Sequence, residues 1–543
     1  MALHEDNTFM TDRIEIPFSE GMFYGFYIIL TVVKGMGLYE GMLLYEAGLA
    51  AAFLCLFLKL IAEKYEKREL LFTIVLLTLG ILIWQTSGKM GALFNIALLV
   101  GMKGIRREQI IRRSAVLWAG LFSLQCFLSL SGLRRQQIFR IHRKLGTYIV
   151  RWSMGFTHPN VLHITYFVLV AFVMYAWKPR GRRLLRWSFL SMIGNLAIFA
   201  YSVSYTGVAL VTLYLALNLA LQRIDQKGDK GNGMERAART VVHLLPAVSM
   251  LFSVIGPVAL KGKAFALVNK ALSTRFELSR QYLLGQGIHL WGTRNMEVAD
   301  ATITVDSSYV YMLVHYGFIY FLLFAILLEC AVVYYWRKRD FYAVAILLAC
   351  AVSGITEQYM ANTSFKNIAV LLAAVMVHEV IGKRSLDGRE NSGLVAMPFA
   401  NKTLKVPQLC GGNRWVGESI RKRFQKKRKS ITVTAGLFFL LGTVVYRLCV
   451  TQPSAIYASP WDCDRKEGAA GEAYVYDYEI LADSSFNGWI LSNNDALGKL
   501  YDFTGETVYL EYWRRALGAG MALAILVVWF ECGAAVLEVK KRR

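Results

Sequence analysis

The chain has 543 residues, of which 55% are hydrophobic and 18% charged, and its mean hydropathy is +0.40. Apolar runs near the roughly 20 residues that cross a bilayer recur from residue 21 to residue 537, which excludes an ordinary soluble protein. The runs do not alternate apolar and polar residues, so a barrel is excluded, and basic cytoplasmic loops account for the net charge of +23 without nucleic acid. The sequence predicts an all-α, polytopic integral membrane bundle.

Apolar stretches along the chain predict about fourteen spans. They fall at 21–38, 41–61, 70–86, 88–103, 114–132, 160–177, 187–203, 206–221, 241–260, 308–335, 341–356, 366–382, 431–449 and 516–537. The first twelve form a core over 1–382. A basic linker at 383–430 separates this core from a two-span C-terminal appendix at 431–543, which carries an insertion at 451–515.

Basic connections predict the orientation. They lie at 103–113, 178–186, 223–239, 337–339, 383–429 and 540–543, and all six fall on the same side if both termini are cytoplasmic. The prediction is therefore a multi-pass protein of the cytoplasmic membrane, with outer loops at 133–159 and 261–307.

The outer segment 133–151 breaks the charge rule, because it holds six basic residues and no acid: Arg134, Arg135, Arg140, Arg143, Lys144 and Arg151. Its isoleucines and Leu145 recur at helical spacing, which favours a helix on the membrane surface. Attraction to anionic head groups and a re-entrant span are two interpretations. The third is an extracytoplasmic anion site for a lipid-linked phosphate.

Two short polar motifs flank apolar runs. The first runs from Arg151 to His158, Pro159 and Asn160, where Pro and Asn are typical of a helix start but an arginine is not. The second is the segment 204–207, Ser-Tyr-Thr-Gly, which by itself indicates a tight turn. Both would lie at the outer face.

The long outer loop and its neighbours supply the remaining candidates. Arg275 and Arg280 lie within 261–307, and Asp306 precedes a long apolar run, where it is either a helix cap or a base facing the arginines. His315 follows at a position more typical of a packed histidine. Glu357 is a second outer carboxylate.

These elements resemble, in order and spacing, the polysaccharide polymerases that extend O-antigen, capsule and exopolysaccharide chains and that are related to the O-antigen ligases. The resemblance covers roughly 70–382 and rests on four features: Arg151 to Asn160, the 204–207 turn, Arg275 ahead of Leu284-Gly285, and 305–317; the segment 354–357 also fits. Tyr205 stands where the family often has arginine. Asp306-Ser307 stands where the ligases tend to have His-Asn.

The resemblance implies transfer of a glycan from one polyprenyl-diphosphate carrier to a sugar hydroxyl on the next lipid-linked unit. It assigns the departing diphosphate to Arg151, Arg275 and Arg280, and recruitment to Arg140 and Arg143. Asp306 ranks first as general base, ahead of His315 and His158, with Glu357 as fallback. The substrate-binding candidates are Arg140, Arg143, His158, Asn160, Tyr205, His315 and Glu357.

No cofactor and no metal site are predicted, because the sequence has no metal-ligand spacing and no nucleotide-binding motif. The expected partners are polyprenyl-diphosphate-linked oligosaccharides, membrane lipids, and a chain-length regulator and flippase of the same pathway. Aromatic residues in 451–515 fit either sugar binding or a small packed domain. Three alternatives stay open: a ligase or other lipid-linked glycosyltransferase, a lipid-linked sugar transporter or flippase, and a non-enzymatic scaffold.

Overall fold

The structure of the protein is a computed structural model that describes residues 13–38, 41–134, 138–144, 147–227, 233–294, 305–362, 366–387, 394–407, 414–451, 455–460, 478–481, 501–504 and 506–541. Helices account for most of these residues. The first nine helices are α1 Phe18–Gly35, α2 Leu43–Leu60, α3 Lys67–Ser87, α4 Gly91–Gly101, α5 Arg107–Leu130, α6 Pro159–Trp177, α7 Arg182–Ser202, α8 Tyr205–Lys227 and α9 Gly233–Ala259.

The remaining helices are α10 Gly262–Ala271, α11 Arg275–Gln286, α12 Ser308–Tyr311, α13 Phe318–Arg337, α14 Phe341–Ser353, α15 Tyr359–Asn362, α16 Ile368–Asp387, α17 Arg414–Cys449 and α18 Glu506–Lys541. Nine short strands complete the described elements: β1 Arg13–Pro17, β2 Lys64–Glu66, β3 Ile138–Lys144, β4 Thr147–Trp152, β5 Leu394–Ala396, β6 Thr403–Pro407, β7 Ala455–Pro460, β8 Tyr478–Leu481 and β9 Tyr501–Thr504.

Ten of the described helices are long and apolar enough to cross a membrane: α2, α3, α5, α6, α7, α8, α9, α13, α17 and α18. The predicted all-α, multi-pass bundle is thereby confirmed, while the number of crossings stays a prediction. The apolar helices α4 and α14 are only 11 and 13 residues long, about half of the bilayer core at about 1.5 Å per residue. All of α4 and nearly all of α14 are buried, so protein surrounds these short helices.

The predicted single span 308–335 is wrong, because Gly317 breaks it. Residues Met312–Tyr316 form one π-helical turn, Gly317 takes φ +87°, and α13 begins at Phe318. A side chain at Gly317 would meet the backbone of Leu290, whose carbonyl accepts from the Ile319 amide at 3.3 Å. Close approach of two backbone segments thus requires glycine here and separates His315 from α13.

The expected surface helix over 133–151 is also wrong, since the described part of this segment is an antiparallel hairpin. Strands β3 and β4 pair from Ile138 opposite Trp152 to Lys144 opposite Thr147. Strand β4 reads Thr-Tyr-Ile-Val-Arg-Trp, and such β-branched and aromatic residues favour a pleated strand over a helix. The hairpin ends with Arg151 and the buried Trp152 at the bundle.

The predicted loops and linker carry structure of their own. The outer loop 261–307 contains α10 and α11, and the insertion 451–515 contains a three-stranded sheet in the order β8-β7-β9. Within the linker 383–430, strands β5 and β6 pair antiparallel with β2 and β1, and α17 begins at Arg414. Backbone pairing therefore ties the linker to the N-terminal helices.

The C-terminal helices pack against each other and against the core. A side chain at Gly442 of α17 would lie 2.9 Å from the Cα of Gly520 in α18, the close approach that small residues permit between membrane helices. The indole of Trp529 donates to Ser123 Oγ at 3.1 Å, and the indole of Trp152 donates to the buried Glu511 at 2.9 Å. The appendix thus contacts both α5 and the hairpin.

Helices α6 and α14 run antiparallel, because contacts join the start of α6 to the end of α14 and the end of α6 to the start of α14, which gives the bundle two ends. We call the end where α6 and α8 begin and α14 finishes the site end, and the opposite one the basic end. At the basic end Asp340 accepts from Lys178 Nζ at 2.9 Å and from Tyr175 OH at 3.1 Å, and it lies 3.6 Å from Arg107 Nη1. This cluster joins α5, α6 and the start of α14.

Asp340→Ala is expected to lower the free energy of unfolding by about 2–3 kcal/mol, because Arg107 and Lys178 lose their buried counter-ion. The loss is limited because the Lys178 side chain is partly exposed to water. Thermal unfolding of the detergent-purified protein measures this. The matched control is Glu15→Ala, which breaks an exposed pair with Lys405 at 3.8 Å and is expected to cost less than about 0.5 kcal/mol. Equal losses in both variants would contradict the structural role of the cluster.

Candidate functional site

Polar side chains from separate elements meet at the site end. Arg151 comes from β4, Asn160 from the start of α6, Thr206 from the start of α8, Arg275 from the first position of α11, and Glu357 from the turn after α14. Asp306, just before α12, completes the group. We call these six residues the carboxylate–arginine cluster.

Glu357 is at the centre of the cluster and only 7% exposed. Its Oε1 accepts hydrogen bonds from the hydroxyl of Thr206 and from Asn160 Nδ2 at 3.3 Å, and it lies 3.5 Å from Arg275 Nη2. Burial raises the pKa of Glu357 to about 7, against the opposing charge of Arg275. None of these contacts involves Oε2, which leaves that oxygen for another partner.

Arg275 bridges the two carboxylates of the cluster. Its Nε lies 3.0 Å from Asp306 Oδ2, close enough for an ion pair but without the alignment of a hydrogen bond. Arg275 is a cation in the first turn of α11, where its charge opposes the helix dipole. The preceding Ser273 and Thr274 both have positive φ, +53° and +68°, which strains the backbone. The local conformation is therefore unfavourable, and the carboxylates offset its cost.

Arg151 is held by neutral acceptors. Its Nε donates to the carbonyl of Ser202 at 2.8 Å and its Nη2 to Asn160 Oδ1 at 2.7 Å. Because Asn160 also donates to Glu357, one amide couples the arginine to the carboxylate. The chain of contacts runs from Arg151 through Asn160, Glu357 and Arg275 to Asp306.

A second layer positions Arg151, and sequence reasoning missed it. His163 contacts Ser202 Oγ through Nδ1 at 3.1 Å and Asn195 Oδ1 through Nε2 at 2.6 Å, and all three residues are buried. The available signal was a histidine and an asparagine inside apolar helices, which are costly there unless paired. The pair fixes the end of α7, whose last carbonyl receives Arg151.

The structure explains the residue type at three positions of the 204–207 segment. Ser204 Oγ accepts from the Gly207 amide at 3.2 Å and so caps α8, while Thr206 reaches Glu357. A side chain at Gly207 would overlap His163, with Cδ2 at 2.9 Å, so glycine lets α6 and α8 approach. Tyr205 is 47% exposed and packs edge-on against Phe199.

Other sequence candidates lie in different surroundings. The His158 ring accepts from the Asn160 amide at 3.1 Å and caps α6, and Arg280 lies over the Phe265 ring at 5.3 Å. The His315 ring packs against the Tyr311 ring, with the centroids 4.0 Å apart and the planes tilted by 30°. The side chains of Arg140 and Arg143 lie outside the described residues, although their backbone belongs to β3.

Comparison with known proteins found no family model that matches this chain, and no match among curated proteins or solved structures.

Gly207→Ala is expected to destabilise the protein by about 1–3 kcal/mol, because the added methyl displaces His163 from Ser202. Thermal unfolding in detergent is the measurement. Gly120→Ala is the matched control, since Gly120 lies inside α5 with nothing within 4 Å of an added Cβ. Alanine there is expected to be neutral or stabilising by up to about 1 kcal/mol. Similar behaviour of both variants would refute the close approach of α6 and α8.

Proposed function

We propose that this protein polymerises a polyprenyl-diphosphate-linked oligosaccharide repeat unit on the outer face of the cytoplasmic membrane. The observation that carries the proposal is the continuous chain of contacts from Arg151 to Asp306 at one end of a membrane bundle. It supplies fixed cations and a carboxyl group whose pKa burial raises to about 7, and these are the two requirements of transfer from a diphosphate donor. The resemblance of the sequence to polysaccharide polymerases names the substrate class.

The charge distribution supports this orientation. Basic residues collect at the basic end, in the connections 61–68, 103–113, 178–186, 223–239 and 337–339. Cytoplasmic loops carry such an excess of Lys and Arg, so the site end faces outward. Lipid-linked glycans presented there would meet the carboxylate–arginine cluster at the membrane surface.

The arginines serve the leaving group in the proposed reaction. The bond between the anomeric carbon of the growing chain and the carrier diphosphate breaks, and negative charge builds on the diphosphate. Arg151 and Arg275 stabilise that charge, since a guanidinium donates two parallel hydrogen bonds to phosphate and stays ionised near lipid. Arg280, outside the described contacts of the cluster, keeps this role only by resemblance.

A carboxylate accepts the proton of the attacking hydroxyl as the new glycosidic C–O bond forms. The resemblance ranks Asp306 first as the general base, whereas the geometry favours Glu357. Glu357 is buried with a pKa of about 7, matched to proton transfer near neutral pH, whereas the side chain of Asp306 is 36% exposed and paired with Arg275. We assign the base to Glu357 Oε2 and the orientation of Arg275 to Asp306.

The test uses purified protein, the cognate lipid-linked repeat unit, chelator, and no nucleotide sugar. A ladder of products is expected from wild type and from Lys263→Gln, a control at an exposed lysine of the site end. Arg275→Gln and Glu357→Gln are each expected to lower the rate by about 10²- to 10⁴-fold. A single transfer without a ladder would favour the ligase alternative. No chemistry with folded protein and intact substrate would favour the transporter.

The rate is expected to rise about tenfold per pH unit up to about pH 7 and then level, because Glu357 must be ionised to accept a proton. Asp306→Asn is expected to keep the profile but shift its midpoint to lower pH, since the Asp306 charge raises the pKa of Glu357. Initial rates between pH 5 and pH 9 measure this, with circular dichroism as control for unfolding. A midpoint unchanged in Glu357→Gln would remove Glu357 as the base.

A further inference from the structure

Lys366 is a buried cation that the reaction above does not use. It lies two residues before the start of α16, at the site end, and is 4% exposed. Its Nζ lies 5.9 Å from the centre of the Phe156 ring. Among the residues that the structure describes, no carboxylate pairs with it, and the charge of Lys34 acts on it repulsively.

Such an arrangement is unfavourable for the protein alone. Removing an ammonium group from water without a counter-ion is costly, and contact with a single aromatic face offsets only part of that cost. Burial and the neighbouring Lys34 lower the pKa of Lys366 to about 7. An anion bound beside Lys366 would reverse each of these costs.

Two more cations, Lys34 and Arg134, lie near Lys366 and Phe156. Lys34 Nζ donates to Tyr45 OH at 2.9 Å. Arg134 Nη1 donates to the Met36 carbonyl at 2.9 Å and to Gln125 at 2.7 Å, and its side chain lies against Gly155, the residue before Phe156. Arg134 is thus held in place by neutral acceptors, which do not neutralise its charge.

The segment 151–160 separates this group from the carboxylate–arginine cluster. At the two ends of this segment, Arg151 donates to Asn160 and Asn160 donates to Glu357. In its middle, Gly155 lies against Arg134, and the Phe156 ring lies against Lys366. Two groups of cations therefore flank one short stretch of chain at the same end of the bundle.

We propose that Lys366, with Lys34 and Arg134, forms a second anion site that binds a lipid-borne diphosphate. The inference rests on the proposed function, because polymerisation brings two carriers together: one diphosphate leaves at Arg151 and Arg275, and the other stays on the acceptor. The Lys366 site holds the acceptor diphosphate and presents its terminal sugar hydroxyl to Glu357. The phosphate of a membrane phospholipid shares this chemistry and is the competing source.

The experiment counts sites by calorimetric titration of the full-length protein in detergent with farnesyl diphosphate, and with farnesol as the uncharged control. Wild type is expected to bind two molecules of the diphosphate. In the Arg275→Gln background, Lys366→Met is expected to weaken the remaining site about 10- to 100-fold, the loss of one charge-assisted hydrogen bond, while Lys366→Arg restores it. Lys263→Met is the control for a surface lysine of the same end. An affinity unaffected by Lys366→Met would overturn the proposal.

Stability separates a binding role from a structural one. Lys366→Met is expected to raise the unfolding temperature in the absence of ligand, because it removes an uncompensated buried charge. A lowered unfolding temperature would make Lys366 a structural residue and overturn the proposal. Competition by phosphatidylglycerol micelles identifies the source: displacement of farnesyl diphosphate from the Lys366 site would overturn the acceptor assignment.

Binding does not require turnover, so this test is independent of the proposed polymerase activity. Glu357→Gln, which is expected to be inactive, should still bind two molecules of farnesyl diphosphate. Two sites without any ladder of products would remove the polymerase and leave the second anion site in place. A ladder of products from a protein that binds only one molecule of farnesyl diphosphate would remove the second anion site and leave the polymerase in place.

Discussion

The site end of this bundle is arranged around the cost of burying one carboxylate. Glu357 is almost removed from water, and a carboxylate there must find donors or become protonated. Its donors come from the starts of α6, α8 and α11, three elements that are distant in sequence. Holding them together requires Gly207 to let α6 and α8 approach, and it sets Arg275 in an unfavourable first turn. The intermediate result, a carboxyl neither fully ionised nor fully neutral near pH 7, is what a general base needs.

A second layer keeps this arrangement rigid. His163 fixes the end of α7, whose last carbonyl receives Arg151, and the next residue, Trp152, donates to Glu511 at the start of α18. Glu511 in turn pairs with Arg514, at 2.5 Å. The C-terminal appendix therefore supports the strand that carries Arg151, and it belongs to the same packed body as the core. Catalytic groups held within a fraction of an ångström depend on such supporting contacts.

Much of this could be predicted from the sequence because hydrophobic length and charge bias act locally. Each of the fourteen predicted spans overlaps a helix, and Arg151, Asn160, Arg275, Asp306 and Glu357, selected by order and expected side of the membrane, do lie together. The incorrect predictions concern segments whose structure depends on contacts between residues distant in sequence, which no local pattern indicates. Gly317 breaks a continuous apolar run because the backbone of 289–290 packs there, and the hairpin of β3 and β4 replaces a helical periodicity. His163 and Lys366 gain meaning only from neighbours remote in sequence.

The most direct test of the central claim is an infrared titration of the purified protein that follows the carbonyl stretch of the protonated Glu357 carboxyl, identified by its absence in Glu357→Gln. The band is expected to disappear with a midpoint near pH 7 and to persist to higher pH in Arg275→Gln, where the stabilising cation is gone. A band that disappears at the pH of an ordinary exposed glutamate, or that does not move in Arg275→Gln, would contradict the central claim. Either result would remove Glu357 as the proposed general base.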